Sequence, residues 1–208
     1  MDRCVIVGGA PIGDYRRASS LLRPEDFVIY CDGGLSHEGG LGRAPDLVVG
    51  DFDSHEKPET GAEIIVLPHE KDDTDTFFAA KEALRRGFRD FLLLGVLGGR
   101  FDHSLGNLSL LLYLEARGAA ALAADDFSDM EIVSSSPREI GPEYPYFSLL
   151  AVAGEARGIR VENALYPLED GVITPEYAYG VSNEPLPGKT ARVSVREGKL
   201  LLIRDRKE

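Results

Sequence analysis

The chain has 208 residues, of which 43% are hydrophobic and 28% charged, and its formal net charge is -12. This length predicts a medium-sized domain plus a small one, and the composition is that of a soluble globular protein, since no apolar run approaches the roughly 20 residues that cross a bilayer. The acidic charge argues against general nucleic-acid binding, which needs concentrated Lys and Arg, and an anionic ligand would need cations to mediate its binding.

The N-terminal segment, residues 1–9, leads directly into an apolar strand and a glycine turn, without the zones of a secretory signal. Cys4 and Cys31 lie inside short apolar runs, which favours buried free thiols over a disulfide or a metal site. Together these features predict a cytoplasmic protein.

The first two-thirds of the chain alternate apolar runs with helical patterns, which predicts an α/β domain with a parallel sheet covered by helices. The predicted strands are residues 3–7, 27–31, 46–49, 63–67 and 90–94. The predicted helices are residues 75–86 and 104–117, and a glycine follows each of them.

Beyond about residue 134 the chain becomes rich in proline and glycine, and the remaining segments are short and extended. We therefore predict a domain boundary between an α/β domain, residues 1–133, and an all-β domain, residues 134–208. Apolar alternation at 193–195 and 200–202, around a turn at Glu197-Gly198, predicts a hairpin.

Four acidic or glycine-rich segments follow the predicted strands of the α/β domain. They are Asp32-Gly33-Gly34, Gly50-Asp51-Phe52-Asp53-Ser54, Lys71-Asp72-Asp73-Thr74-Asp75 and Gly98-Gly99-Arg100-Phe101-Asp102-His103. In open α/β sheets, ligands bind at the carboxyl ends of the strands, so we expect these segments to converge on one crevice.

The spacing of the aspartates favours a metal site. Asp51 and Asp53 are two apart in an extended segment, and Asp72 and Asp75 are three apart at a helix start, so each pair shares a side. Like charges so placed repel unless a cation lies among them, and oxygen ligands suit Mg²⁺ better than zinc. The alternative is that each aspartate only forms a turn, or that Asp72 or Asp73 caps the helix.

The glycine pairs Gly8-Gly9, Gly33-Gly34 and Gly98-Gly99 permit close backbone approach and leave N–H groups for phosphate or ribose, although each is equally explained by a tight turn. Lys71 and Arg100 are placed to hold phosphate oxygens or, alternatively, to pair with a neighbouring aspartate. His103 is a candidate general base that alternatively packs at the helix start.

In order and spacing, these motifs resemble the thiamin pyrophosphokinase family. The resemblance is carried by Cys31-Asp32-Gly33-Gly34, Gly50-Asp51-Phe52-Asp53-Ser54, Lys71-Asp72-x-Thr74-Asp75, and Gly98-Gly99-Arg100-x-Asp102-His103 followed by Asn107. In the tail it is carried by Leu165-Tyr166-Pro167-Leu168 and Gly180-Val181-Ser182-Asn183. The chain has no tryptophan, whereas some members stack thiamin on one.

The resemblance implies a Rossmann-like nucleotide domain, a C-terminal β-sandwich, and a homodimer with active sites between subunits. ATP and Mg²⁺ would occupy the aspartate crevice, with Asp51, Asp53, Asp75 and Asp102 in metal or catalytic roles and Asp32 and Asp72 beside them. Thr74, Asn107, Lys71, His103 and the glycine pairs belong to the nucleotide motifs, and Tyr166, Ser182 and Asn183 would contact thiamin.

The expected reaction is transfer of a diphosphate from ATP to the hydroxyl of thiamin, which gives thiamin diphosphate and AMP. Three alternatives remain open at this point. They are a pyrophosphokinase for another alcohol such as a pterin, a magnesium-dependent phosphohydrolase, and a nucleotide-binding regulatory module without turnover.

Overall fold

The structure, a computed structural model, describes residues 3–52, 61–68, 70 and 72–206. It divides into two compact units, with the division between Asp126 and Phe127. Within the described ranges, no helix is both long and apolar enough to cross a membrane.

The first unit is an α/β structure built on parallel strands. In chain order it contains β1 Cys4–Val7, α1 Tyr15–Ser20, β2 Phe27–Cys31, a 3₁₀ helix Asp32–His37, α2 Glu38–Leu41, β3 Leu47–Gly50, β4 Glu63–Val66, α3 Asp75–Arg85, β5 Asp90–Leu94, α4 Phe101–Glu115 and β6 Ala120–Ala124. The strand order is β4-β3-β2-β1-β5-β6, and every one of these neighbours pairs in parallel. Starting from β1, the chain adds β2, β3 and β4 on one side of that strand and then β5 and β6 on its other side. The strand order therefore reverses between β1 and β5.

The apolar runs form the strands because a parallel sheet with elements on both faces buries its central strands completely. All four residues of β1 and the last four of β5 are buried. The strands predicted at 27–31 and 90–94 are confirmed at those bounds. β6 was not predicted, because its alanine-rich sequence has little intrinsic preference for a strand; in the structure it pairs in parallel with β5.

Two helices, α1 and α3, begin after a residue whose side chain accepts from an amide of the first turn. The Thr74 hydroxyl accepts from the Phe77 amide at 3.3 Å and caps α3, so Thr74, rather than Asp72 or Asp73, is the capping residue. α4 begins at Phe101, earlier than predicted, which places Asp102 and His103 inside its first turn.

The second unit consists of antiparallel strands. They are β7 Ser128–Val133, β8 Arg138–Ile140, β9 Tyr146–Ala151, β10 Ala156–Glu162, β11 Leu168–Ile173, β12 Ala191–Ser194 and β13 Leu200–Asp205. β13 pairs with β7 and β9, while the other four strands have the order β11-β10-β12-β8. Both sets contribute side chains to one buried core, which includes Phe147 and Leu202 from the first set and Ile159 and Val193 from the second.

The predicted boundary after residue 133 differs from the observed division. β7 pairs with β13 along its whole length, from Ser128 to Val133, and so belongs to the second unit. The proline-rich segment that suggested the boundary connects strands inside this unit.

The predicted hairpin at 193–202 is wrong. β12 pairs with β10 and β8, whereas β13 pairs with β7 and β9, so the two strands do not pair with each other. Val193 and Leu200 instead lie in the same core. Alternating apolar residues occur both in two strands that pair in one sheet and in strands of two sheets that pack face to face. The sequence pattern therefore does not distinguish a hairpin from packing in a shared core.

A buried ion pair fastens the start of the central strand in the first unit. Arg3 Nε donates to Asp26 Oδ1 at 2.9 Å and Arg3 Nη2 donates to Asp26 Oδ2 at 2.7 Å. Asp26 also accepts from the Arg23 amide at 2.7 Å. The pair therefore joins the chain before β1 to the turn before β2, and both side chains are almost fully enclosed.

We predict that Asp26→Ala lowers the free energy of unfolding by about 3 kcal/mol, because it leaves the Arg3 guanidinium buried without its partner. Urea unfolding followed by circular dichroism measures this change. Asp90→Ala is the matched control, since Asp90 forms only a half-exposed pair with Arg23 at 3.7 Å. Its expected cost is below about 1 kcal/mol, and equal costs for the two variants would contradict the prediction.

A second ion cluster joins α3 to β4. The buried Glu82 carboxylate accepts from Arg85 Nη2 at 2.6 Å and from Arg86 Nε at 2.7 Å. Arg86 also donates to both carboxylate oxygens of Glu63 in β4, at 2.9 and 2.7 Å. The hydrogen bonds from Arg85 and then Arg86 lower the pKa of Glu82 from its ordinary 4.5 to about 2, against the opposing effect of burial.

This lowered pKa predicts a loss of stability in acid. Because the folded pKa of Glu82 lies below the unfolded one, its contribution is complete above pH 4.5 and disappears as the pH falls to about 2. Glu82→Gln should remove on the order of 2 kcal/mol of the stability difference between neutral and acid pH. Urea unfolding at several pH values measures this, and an unchanged acid slope in the variant would refute the assignment.

Candidate active site

A cavity of about 430 Å³ lies in the first unit at the carboxyl ends of its strands. It opens beside β1 and β5, where the strand order reverses, which is where ligands of open α/β sheets bind. Predicted site residues that line it are Gly8, Gly9, Asp32, Gly33, Thr74, Asp75, Gly98, Gly99, Arg100, His103 and Asn107. Ala10, Pro11, Cys31, Thr76, Gly95 and Val96 also line it and were not selected from the sequence.

Close backbone packing forms the floor of this cavity. A Cβ atom on Gly34 would lie 2.3 Å from the Val7 carbonyl oxygen, and one on Gly95 would lie 2.4 Å from the Gly8 carbonyl oxygen. Only glycine permits both approaches. Gly34 packs against the end of β1 and does not itself line the cavity.

Two acidic residues, Asp32 and Asp75, line the cavity together with Cys31. Burial raises the pKa of the Cys31 thiol well above its usual range, and the charges of Asp75 and Asp32 raise it further. The thiol therefore experiences the negative charge of both carboxylates. The structure therefore concentrates negative charge at the end of β2.

Asp51, at the end of β3, does not line the cavity. It follows Gly50, where a Cβ atom would approach the Asp32 Cα to 3.2 Å. The end of β3 is thus in close contact with the start of the 3₁₀ helix. Asp53 and Lys71 lie outside the described residues.

The remaining acidic residues of the α3 loop point elsewhere. Asp72 is exposed and is not part of the cavity lining. Asp73 accepts from Lys81 Nζ with both oxygens, at 2.8 and 2.7 Å, so its charge is already paired. Of this loop's aspartates, only Asp75 contributes to the cavity.

Arg100 and Asp102 form an exposed ion pair at the start of α4. Arg100 Nη2 donates to Asp102 Oδ2 at 2.6 Å, and the His103 amide donates to Asp102 Oδ1 at 3.0 Å. The hydrogen bond from Arg100 lowers the pKa of Asp102. Arg100 and His103 line the cavity, whereas Asp102 does not. The pairing alternative for Arg100 is therefore confirmed, although its guanidinium still borders the cavity.

A hydrogen-bond chain joins the start of α3 to the loop after β5. The Thr76 hydroxyl donates to Asn107 Oδ1 at 2.8 Å, and Asn107 Nδ2 donates to the Val96 carbonyl at 2.7 Å. Asn107 is buried, and both the oxygen and the nitrogen of its side-chain amide bond to these protein partners. Asn107 holds two walls of the cavity together, and Thr76 is the partner that sequence reasoning missed.

We predict that Thr76→Val destabilises the protein by about 1–2 kcal/mol, because the buried Asn107 oxygen loses its donor while side-chain shape is kept. Thr76→Ser, which keeps the hydroxyl, is the matched control and should cost less. Urea unfolding of the two variants measures the difference. The contact is refuted if valine and serine have the same effect.

The donor set of the cavity fits a hard cation with oxygen ligands. Over residues 3–52, 61–68, 70 and 72–206, no group of three or more His, Cys, Asp or Glu side chains is placed to hold a metal ion. Two cavity carboxylates, Asp32 and Asp75, are nevertheless what Mg²⁺ ordinarily takes from a protein when substrate phosphates and water complete its coordination.

The predicted residues of the second unit lie together. Asn183 is buried; its Oδ1 accepts from the Tyr166 amide at 3.0 Å and its Nδ2 donates to the Tyr166 carbonyl at 2.8 Å. Ser182 has a positive φ of 59°, and its amide donates to Ser148 Oγ at 3.1 Å. The Tyr166 side chain is exposed. Asn183 therefore holds the backbone that presents this ring.

These features define a two-unit α/β protein with an acidic, glycine-walled ligand cavity at its strand ends. Residues 18–122 match the family described as thiamin pyrophosphokinase, catalytic domain, and residues 131–200 match thiamin pyrophosphokinase, vitamin B1 binding domain. The chain belongs to the thiamin pyrophosphokinase family, which confirms the resemblance found in its motifs.

Individual relatives agree with this assignment. The chain is 35% identical over 109 residues to thiamine pyrophosphokinase 1 of Oryza sativa subsp. japonica, a match that covers 46% of this chain and 40% of the rice protein. It is 26% identical over 171 residues to thiamine pyrophosphokinase of Bacillus subtilis strain 168, which covers 78% of this chain and 79% of that one. The chain spans less than half the length of its rice and Caenorhabditis elegans relatives.

The fold is also that of solved structures. The crystal structure of thiamine pyrophosphokinase from Bacillus subtilis superposes with a TM-score of 0.87 over 100% of both chains, at 24% identity. At this identity the likeness establishes the fold, a mixed α/β architecture with a large, mostly parallel sheet and a smaller antiparallel one.

Proposed function

We propose that this chain is a magnesium-dependent thiamin pyrophosphokinase that transfers a diphosphate from ATP to the hydroxyl of thiamin. The observation that carries the proposal is the cavity at the reversal of strand order, which combines glycine backbone, the carboxylates of Asp32 and Asp75, and the guanidinium of Arg100. The family match to both halves of the chain supports the choice of reaction and acceptor.

ATP fits this cavity by its chemistry. The strand order around β1 and β5 supports a Rossmann-like nucleotide site, with the phosphates against the amides of Gly8, Gly9 and Gly33 and the loop at Gly98-Gly99. Arg100 supplies a planar donor for phosphate oxygens. We propose that Thr74 and His103 border the nucleotide and that Gly34 and Asn107 hold the walls.

Mg²⁺, when bound, would neutralise phosphate charge. Asp75 and Asp32 would hold it, with Asp51 beside them, and Asp53 remains a proposed ligand from the family motif. We keep Lys71 and Asp72 as proposed contacts on the same basis. A bound cation would offset the repulsion between the carboxylates of Asp32 and Asp75 and the phosphates.

The proposed reaction is a single displacement at phosphorus. The oxygen of thiamin's primary hydroxyl bonds to the β-phosphorus, the bond from that phosphorus to the oxygen bridging the α-phosphate breaks, and AMP leaves. The hydroxyl proton passes to a protein base. His103 suits this role better than Asp102, because His103 lines the cavity while the pKa of Asp102 is lowered by its bond to Arg100.

The acceptor would be recognised by the second unit. We propose that the exposed Tyr166 ring contacts thiamin with Ser182, and that Asn183 acts by fixing the Tyr166 backbone. Aromatic faces attract cationic ligands, and the thiazolium ring of thiamin is cationic. We further propose, on family resemblance, a homodimer with active sites at the subunit interface and a cytoplasmic location, with which the free buried thiols of Cys4 and Cys31 agree.

The reaction predicts equal amounts of AMP and thiamin diphosphate from ATP and thiamin when Mg²⁺ is present, and neither product after chelation. Asp75→Asn should lower this rate about a hundredfold or more, because it removes a carboxylate that would hold the Mg²⁺ needed to neutralise the phosphates. Chromatographic separation of both products measures the effect. Circular dichroism checks that the variant is folded.

Asp90→Asn is the control, since Asp90 is a half-exposed carboxylate at the opposite end of the sheet and its loss changes the net charge equally. Its rate should stay near that of the wild type. Release of ADP or inorganic phosphate without thiamin consumption would overturn the proposed reaction. Near-normal activity of Asp75→Asn would overturn the role of the cavity carboxylates.

A further inference from the structure

The loop from β1 to α1 forms one wall of the cavity and is held at two places. Its first half, from Gly8 to Pro11, lines the cavity. Within it, the Ala10 amide donates to the Gly95 carbonyl at 2.8 Å, and the Ala10 carbonyl lies 3.0 Å from Nε2 of the buried His37. The loop after β5 and the end of the 3₁₀ helix thus fix this half directly.

The second half of the loop is held by a carboxylate that follows β6. Asp126 Oδ2 accepts from the Gly13 amide at 2.8 Å, and Asp126 Oδ1 accepts from the Asp14 amide at 2.9 Å. A Cβ atom on residue 13 would lie 2.6 Å from Asp126 Oδ2, so a side chain there would displace the carboxylate from this position. Asp14 in turn caps α1, with its side chain accepting from the Arg17 amide.

We propose that Asp126 is a positioning residue for the nucleotide site, acting through the two amides at the end of the β1–α1 loop. The inference rests on the proposed function, in which ATP occupies the cavity. Asp126 does not line the cavity, so its effect on a ligand passes through the loop backbone. Because small displacements of binding groups cost much in binding and rate, loosening this loop should weaken ATP binding while leaving thiamin binding unchanged.

The side chain at 126 must accept two hydrogen bonds at once. A carboxylate can do this with both oxygens, whereas an asparagine offers one oxygen and turns an NH₂ donor toward the other backbone amide. Asp126→Asn therefore replaces one of the two hydrogen bonds by a contact between two N–H donors, with almost no change in side-chain shape. A role limited to general stability would lower the folded fraction and would not change one substrate's KM selectively.

The test measures KM for ATP, KM for thiamin and kcat for the wild type, Asp126→Asn and the control Asp90→Asn. We expect Asp126→Asn to raise KM for ATP about tenfold, equivalent to about 1.4 kcal/mol, with KM for thiamin unchanged. Asp90→Asn should leave all three constants unchanged. Equal KM values for ATP in Asp126→Asn and the wild type, or equal increases for both substrates, overturn the inference.

A double-mutant cycle keeps the test decisive if Asp126→Asn folds poorly. Gly13→Ala should also raise KM for ATP, because its methyl group meets the Asp126 carboxylate, and it should add little in an Asp126→Ala background, where that carboxylate is gone. Fully additive effects overturn the inference. If the wild type neither binds nor uses ATP, both the proposed function and this inference fail. If the wild type uses ATP and only the variants behave otherwise than expected, the inference alone fails.

Discussion

The close contact of three backbone segments at the carboxyl end of β1 is the constraint on which the site depends. Gly34 lies against Val7 on one side and Gly95 lies against Gly8 on the other, each too close for any side chain. The Gly8 amide also donates to the Leu94 carbonyl at 2.9 Å. These contacts bring the 3₁₀ helix, the β1–α1 loop and the loop after β5 around one cavity.

The charge of the cavity follows from this convergence. Asp32 enters with the 3₁₀ helix and Asp75 with the start of α3, so two carboxylates share a small volume in a chain whose net charge is already -12. Arg100 borders the same volume but is partly neutralised by Asp102. Among the described residues, the groups at the cavity therefore do not balance the proposed polyphosphate, and the proposed Mg²⁺ would supply the missing positive charge.

The parts that sequence could predict are those encoded locally. Buried parallel strands appear as continuous apolar runs, and the glycines and aspartates after them mark the strand ends. This is why Gly8, Gly33, Asp32, Asp75 and Gly98 could be expected at one cavity, which they line. Contacts between distant segments leave no such pattern. Thr76 bonds to Asn107 across 31 residues and Gly13 bonds to Asp126 across 113, and neither partner's role is visible before the chain is folded.

The structure also separates two roles that a sequence motif combines. The side-chain amide of Asn107 bonds to Thr76 and Val96, and that of Asn183 bonds to the Tyr166 backbone. Asp102 accepts from Arg100 and His103. Each stands within a family motif, yet its polar atoms bond to protein. A side chain that contacts a ligand must itself be held in place by neighbouring residues. A sequence motif therefore contains supporting residues as well as residues that contact the ligand. In the proposed function, Arg100, Asp32, Asp75 and the exposed Tyr166 ring are the groups that would meet substrates directly.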